Sequence, residues 1–392
     1  MFTRSVNNNV VKLFSMSKIK NIPLWLKILF TLLIIIVLSA GFSMYQISNN
    51  PEGAALFADN VLRPILGEKL TIGLEGAVFG IQDKINRAQN ADPAKKYFTS
   101  NINEAPINVS SQSALPAFIL PTNINPIVSS QNPLPDEGVW KAIEASGLYT
   151  TFIRTDSTRP FAVVNLVYIP LHNVSIGVVA GTKHPGGELK QFGPGIVPKE
   201  IQDSGKLIAA FNGGFQEKDG HYGMYVNGVT YVPLKNKLAT LFIYKDGSTA
   251  IQKYDSSLMT EQVLAARQNG PLLIEGGQVV KSTSQGIALW AGTSAGDYVT
   301  WRSGLGVTAN GDLIYAAGPS LTPQSLGDAL RLAGSTQAMQ LDINNFWVRF
   351  ILYSWNPDTK SYSYLPLTKG LPNAGKQFLT GDEKDFFYLY RK

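Results

Sequence analysis

The hydrophobic pattern changes period several times along the chain. Residues 28–47, ILFTLLIIIVLSAGFSMYQI, make an uncharged run of about twenty residues, long enough to cross a bilayer as a helix. Between 52 and about 90 the apolar positions take helical spacing. Leu56, Phe57, Val61, Leu62, Ile65 and Leu66 share one face, and Val78, Phe79, Ile81, Gln82 and Ile85 predict a second short amphipathic helix. From 100 to about 138 the pattern dissolves into Asn, Ser and Pro with almost no charge, the composition of a linker or an extended wrapping segment.

From 139 onward short apolar runs alternate with tight turns. Runs at 150–154, 162–169, 174–179 and 207–211 predict strands. Asn227-Gly228, Asp246-Gly247 and Asn310-Gly311 each sit between apolar runs and predict hairpins. Helices are few: 260–268 is one, and 322–333 is the clearest, with Thr322 as N-cap, Pro323 at its first position and Gly334 at its end. The expected class is α+β, a strand-rich mixed-sheet domain with a few helices, preceded by one transmembrane helix and a short helical stalk. The expected divisions are a basic tail (1–27), the membrane helix (28–47), the stalk (48–99), the linker (100–138) and the main domain (139–392).

Charge settles the orientation of that arrangement. The formal charge is +6, but Arg4, Lys12, Lys18, Lys20 and Lys27 precede the apolar run, and the first acid, Glu52, follows it. The positive-inside rule then puts the N-terminus in the cytoplasm and the domain outside the cell membrane. A cleaved signal peptide, with Ser39-Ala40-Gly41 as the small-residue site, is the competing reading. The long basic segment and the continuing apolar run favour an uncleaved anchor. Of 34 basic residues, 29 remain once those five are set aside, against 28 acids, so the domain is nearly neutral and a nucleic-acid partner loses its support. The absence of cysteine excludes disulfides, thiol catalysis and cysteine-bound metal. His172, His184 and His221 are too scattered for a zinc site of recognisable spacing. No metal and no cofactor is implied.

The run Gln337-Ala338-Met339-Gln340-Leu341-Asp342-Ile343-Asn344-Asn345 carries the most pointed chemistry. A buried strand ends in a carboxylate followed by amides, which either closes the strand as an Asx turn or puts a reactive group on a rigid rim. Asn212-Gly213-Gly214 follows another apolar strand, and its glycines would let a backbone aim N–H groups at a ligand. Arg302 opens a strand through small residues and offers a planar fork for phosphate or carboxylate. His172 and His184 read as loop residues, whereas His221 lies close behind the Asn212 turn. Ser294, in Gly292-Thr293-Ser294-Ala295-Gly296, matches the G-x-S-x-G pattern of serine hydrolases but lacks the strand–turn–helix context that chemistry requires.

The ordered set Phe211-Asn212-Gly213-Gly214-Phe215, His221-Tyr222-Gly223-Met224, Asn227-Gly228, Arg302-Ser303-Gly304-Leu305-Gly306, Asn310-Gly311 and Ala338-Met339-Gln340-Leu341-Asp342 resembles the phosphodiester glycosidase family over roughly 150–355. The family's catalytic domain is named after the enzyme that removes N-acetylglucosamine from a phosphodiester to uncover mannose 6-phosphate. The resemblance implies one cleft holding Asn212, Arg302 and Asp342. Asp342 would be nucleophile or base, Arg302 would hold phosphate, and Asn212 and His221 would contact sugar or phosphate oxygens. Gly213 and Gly214 would line the pocket, and Asn344 and Asn345 would bind sugar hydroxyls. Glu217, Asp219 and Glu275 remain open as a second carboxylate. The family usually continues after this aspartate with Gly-Gly and a serine, where this chain has Ile343-Asn344-Asn345-Phe346, so the resemblance implies a reaction class without fixing the sugar.

The expected protein is therefore a membrane-anchored extracytoplasmic glycosidase that hydrolyses a sugar-1-phosphodiester in envelope or exopolysaccharide material. The alternative is a non-catalytic cell-envelope glycan-binding protein on the same fold, and a Ser294 hydrolase ranks third.

Overall fold

The computed structural model describes residues 23, 61–88, 121–125, 128, 134–143, 145–280, 299–343, 346–367 and 375–392. The apolar run at 28–47, most of the Asn/Ser/Pro-rich segment, Ser294, Asn344 and Asn345 lie outside them. Among the described residues no helix is long and apolar enough to cross a membrane.

Residues 65–392 form one unit built on three sheets. The largest has the spatial order β1 (Lys141–Ile143), β2 (Leu148–Arg154), β3 (Val163–Ile169), β14 (Leu313–Leu321), β13 (Thr300–Thr308), β15 (Ser335–Ile343), β11 (Leu272–Glu275), β12 (Gln278–Val279). A second runs β7 (Val229–Val232), β6 (Met224–Val226), β10 (Val263–Asn269), β8 (Ala239–Tyr244), β9 (Thr249–Lys253). The third runs β17 (Ser361–Pro366), β16 (Phe350–Asn356), β5 (Leu207–Asn212), β18 (Phe386–Arg391), β4 (Val174–Val179). The domain is α+β as expected. Pairings between these described strands are antiparallel, so the mixture is one of helix and strand rather than of strand directions.

All three sheets contribute to one interior cluster, with Val167, Ile176, Phe211, Leu241, Leu305, Met339, Leu341, Phe350 and Phe387 among its members. The other face of the large sheet is covered by helix α3 (Pro323–Leu332), whose Leu326, Ala329 and Leu330 pack on Ile314, Ala316 and Ala338. Thr322 caps that helix through Ser325 N, Pro323 enters it, and Gly334 beyond it takes a φ of +101° that only glycine adopts readily. Strand β5 is buried along its whole length because neighbouring strands and both faces cover it.

The three Gly-containing turns form the hairpins β6–β7, β8–β9 and β13–β14. Residues 260–268, expected to be helical, instead contribute most of β10, which pairs with β6 on one side and β8 on the other. Its helix-tolerant composition is overridden by two ladders and by burial of every residue but Leu264. Within the expected stalk, helix α1 (Glu68–Ala88) runs 21 residues, and its Asp83 meets Arg159 of the main domain at 3.2 Å. Glu137, at the end of the Pro-rich segment, is buried in a forked pair with Arg154, with contacts of 2.7 and 3.1 Å. Helices α2 (Lys199–Asp203) and α4 (Gln377–Thr380) are short, and Phe378 of α4 packs on Phe386 over the outer face of the third sheet.

Candidate functional site

The site forms where the C-terminal ends of β5 and β15 meet the N-terminal end of β18. Below it Phe211, Phe350, Phe387 and Tyr315 stack, with Phe211 5.6 Å from Phe350, 5.3 Å from Phe387 and 5.1 Å from Tyr315. Such a cluster fixes ring directions as well as burying area. It aims the Tyr315 hydroxyl at Asn212 Oδ1, 2.9 Å away. Burial raises the Tyr315 phenol pKa far above its ordinary value, so it remains a protonated donor.

Asn212 is the hub above those rings. Its Oδ1 accepts from Tyr315 and from Arg349 N at 3.1 Å, and its Nδ2 donates to Ser303 Oγ at 2.9 Å and Gly213 O at 3.1 Å. A side-chain amide has two donors and two acceptor sites. All four are in use, so Asn212 holds the site together and has no capacity left over for a substrate.

Ser303 passes the connection on. Its hydroxyl donates to the carbonyl of Asp342 at 2.7 Å, while Asp342 N donates to Gly213 O at 3.0 Å. The end of β15 has thereby crossed from its own sheet to the chain leaving β5. The β13–β15 ladder is irregular between Arg302 and Gly304, which lets the strand depart. Successive side chains of a strand point to opposite faces. Ser303 faces Asn212, and Arg302 faces the other way, donating to Leu321 O at 2.9 Å and to Gln340 Oε1 at 2.8 Å. The structure thus brings Asn212 and Asp342 together through Ser303, the neighbour of the arginine that the sequence singled out.

Asp342 is 4% exposed, its Oδ1 accepts from Ile343 N at 2.9 Å, and its Oδ2 is in contact with Lys384 Nζ. Burial pushes its pKa up to about 6, against the lowering pull of Lys384 and with a further push from the Asp219 charge. Of the three open carboxylates, Asp219 is therefore the one whose field reaches Asp342. Glu217 is paired with His221, and Glu275 with Lys253 at 2.7 Å. His221 is largely exposed, with a φ of +56°.

Lys384 lies in the segment leading into β18, where its own N–H is fixed by Asp382 Oδ1 at 2.8 Å and its ammonium stands 4.5 Å from the Trp347 ring centroid. Asp382 in turn meets Arg349 at 3.4 Å, and the Arg349 guanidinium bonds Phe346 O at 2.9 Å. Next door Asp385 is fully buried and forked by Arg267 at 2.8 and 3.1 Å. Burial alone would raise the Asp385 pKa, but the Arg267 charge outweighs it and holds the carboxyl below its ordinary range.

Gly213 and Gly214 serve this pair rather than a ligand. Gly213 N donates to Asp385 O at 3.0 Å and Gly214 N to Asp385 Oδ2 at 3.2 Å, so neither amide is aimed outward as expected. A Cβ on Gly213 would stand 2.0 Å from Asp385 Oδ2. Ser303, Tyr315, Arg349, Lys384 and Asp385 were not foreseen. The charged cluster Asp382-Glu383-Lys384-Asp385 directly before an apolar strand was the available signal, the same carboxylate-at-a-strand-end logic that picked out Asp342. Among the described residues no group of three or more His, Asp and Glu side chains is placed to hold a metal ion.

No curated protein matches the chain. Among solved structures it is similar to the catalytic domain of zebrafish N-acetylglucosamine-1-phosphodiester alpha-N-acetylglucosaminidase auto-inhibited by its pro-peptide. That match has 16% identity and a TM-score of 0.42, over 64% of this chain and 86% of that one. It is also similar to a hypothetical protein from Synechocystis, with 12% identity and a TM-score of 0.33 over 62% of each chain. The family model described as phosphodiester glycosidase matches residues 205–342, a stretch that excludes Arg349, Lys384 and Asp385. The stretch matched by that family model, 205–342, supplies Asn212, Ser303, Tyr315 and Asp342.

Proposed function

We propose that the chain hydrolyses a sugar-1-phosphodiester, with Asp342 as the reactive carboxylate. The observation that carries this reading is a buried carboxyl, raised to about 6 and in contact with an ammonium, at the end of a core strand. Carboxyls shifted by burial and held by a specific charge partner cluster at sites of chemistry. Cleavage at the anomeric carbon breaks the carbon–oxygen bond to phosphorus, and the phosphate monoester departs with the electron pair. Such a leaving group needs little protonation, so a carboxylate to meet the oxocarbenium-like carbon and a cation for the phosphate suffice. Asp342 takes the first role, as nucleophile or as base toward water, with Asp219 as the carboxylate available for the second proton transfer. Asn212, Ser303 and Tyr315 hold Asp342 in place, and Arg302 braces β13 and β15 from the other side through Gln340.

The reading extends to location. The apolar run at 28–47, with basic residues before it, anchors the chain in the cell membrane with the domain outside, where envelope or exopolysaccharide glycosyl phosphates are the available substrates. Asn344 and Asn345, in place of the family's glycines, select the sugar. The test is to incubate the full chain, in detergent or vesicles, with a panel of sugar phosphodiesters and to measure released sugar. Release that Asp342→Asn abolishes, with folding intact, supports the assignment. An active D342N protein overturns it, and glycan binding without any release favours the binding-protein alternative.

A further inference from the structure

We propose that Lys384 is the phosphate seat of this site: its ammonium stays on Asp342 and offers its remaining protons to an anionic oxygen of the substrate. The sugar attached to that anion rests on the glycosidase reading, but the anion seat itself does not.

An ammonium carries three N–H groups. Among the described residues, Lys384 Nζ has a single acceptor, Asp342 Oδ2, and one side of it is turned to the π face of Trp347 at 4.5 Å. The residue is 6% exposed. A buried ammonium with a donor left over needs a further acceptor, and an anionic oxygen binds it more strongly than a neutral one. The neighbouring cations are committed elsewhere. Arg267 gives Nε and one terminal nitrogen to Asp385, and its terminal nitrogens also bond the carbonyls of Phe215 at 2.7 Å and Gln268 at 2.6 Å. Arg302 is turned to Leu321 O and Gln340 Oε1. Arg349 bonds Phe346 O and Asp382. Lys384 is the cation in contact with the reactive carboxylate.

The position also suits the reaction. Two oxygens hydrogen-bonded to one ammonium lie about 4.5–5.5 Å apart, at N···O distances of about 2.8 Å. An attacking oxygen about 3–3.5 Å from a carbon, in line with the oxygen leaving it, spans nearly the same distance. One ammonium bridging the carboxylate and an anionic phosphate oxygen, which shares its phosphorus with the leaving oxygen, would therefore hold the leaving group beside Asp342 at about the working distance while favouring the ionised carboxylate. The backbone around Lys384 is stiff enough to hold such a bridge. A Cβ on Gly181 would meet Glu383 O at 2.3 Å, so loop 181–184 is seated directly on the segment, with His184 N bonded to Glu383 O at 2.8 Å.

The probe is inorganic phosphate, titrated into the full chain and followed by calorimetry and by the shift in melting temperature. Wild type binds it. D342N, which keeps Lys384, binds it at least as tightly, and D342N/K384M binds it at least tenfold more weakly. The double variant removes both buried charges together, so folding is preserved where K384M alone leaves Asp342 unpaired. K384R in the wild-type background retains phosphate binding. Absence of phosphate binding in wild type, or equal binding by D342N and D342N/K384M, overturns the proposal. Phosphate bound through Lys384 with no sugar released from any phosphodiester leaves this inference standing and removes the glycosidase reading. Undiminished turnover by a folded K384M, with an unchanged pH profile, does the reverse.

Discussion

Asn212 and Asp342 are joined through one hydroxyl: Ser303 Oγ accepts from Asn212 Nδ2 at 2.9 Å and donates to the Asp342 carbonyl at 2.7 Å. All three residues are buried, so neither bond can be replaced by bulk water. Ser303→Ala leaves the Asp342 carbonyl without this partner and is expected to destabilise the fold by about 1–3 kcal/mol. Turnover falls by more than tenfold, because a displaced carboxylate loses rate steeply. Denaturant unfolding and kcat/KM on the same preparation check both, and an S303A protein as stable and active as wild type removes the hydroxyl from the site.

The Arg267–Asp385 pair is a support that can be tested without a substrate. Gly213→Ala drives a methyl into Asp385 Oδ2, and Arg267→Met leaves Asp385 buried and unpaired. Breaking a buried pair from one side costs about 3–5 kcal/mol, so R267M is expected to lose that much. R267M/D385L, which removes both charges, recovers most of it. Urea midpoints at constant m-value decide the matter, and an R267M protein of wild-type stability contradicts it.

The pH dependence of Asp342 follows from its environment. Its folded pKa, about 6, lies above the ordinary 3.8 because burial disfavours the charge. A carboxyl raised on folding binds protons more readily in the native state. Its stabilising contribution is therefore fully present below about 3.8 and is lost as pH rises through about 6. The stability of wild type relative to D342N is expected to decline across that window. Activity has the opposite slope: if the ionised carboxylate is the nucleophile or base, kcat/KM rises through about pH 6 and then levels. A profile that instead falls above pH 6 assigns Asp342 the role of acid.

Local signals were legible in the sequence wherever a few neighbouring residues determine the structure. The hairpins at Asn227-Gly228, Asp246-Gly247 and Asn310-Gly311 follow from turn chemistry, and α3 from its Thr322 cap and Pro323. That Asn212 and Asp342 each lie at a strand end was legible for the same reason, whereas the meeting of those two ends was implied by the family resemblance alone. Strand β10 was not, because its ladders to β6 and β8 are tertiary and its residues tolerate a helix. Lys384 was marked by the charged run 382–385 directly before an apolar strand, but its partner is 42 residues away along the chain, so the contact itself is tertiary. Ser303 and Arg302 show a further limit, since the direction in which adjacent side chains point depends on the register of β13 against β15.

His184 reads as a loop residue in the sequence, and it packs against the segment that carries Lys384, its N–H bonded to Glu383 O at 2.8 Å. Burial, and after it the charge of Lys384, lower its pKa to about 4, with Lys218 acting in the same sense and Asp385 and Glu383 opposing. An imidazole depressed in the folded state contributes stability that is present above about 6.5 and lost as pH falls through about 4. Its ring is therefore neutral across the working range and offers one donor and one acceptor beside the cationic Lys384. A proton-detected titration of the histidine ring signals, assigned with His184→Asn, is expected to show one midpoint near 4. In D342N/K384M, compared with D342N, that midpoint moves upward, because the second-largest cause of the depression is gone. A midpoint that stays where it was places His184 outside the field of Lys384 and leaves burial and Lys218 as the causes of its low value.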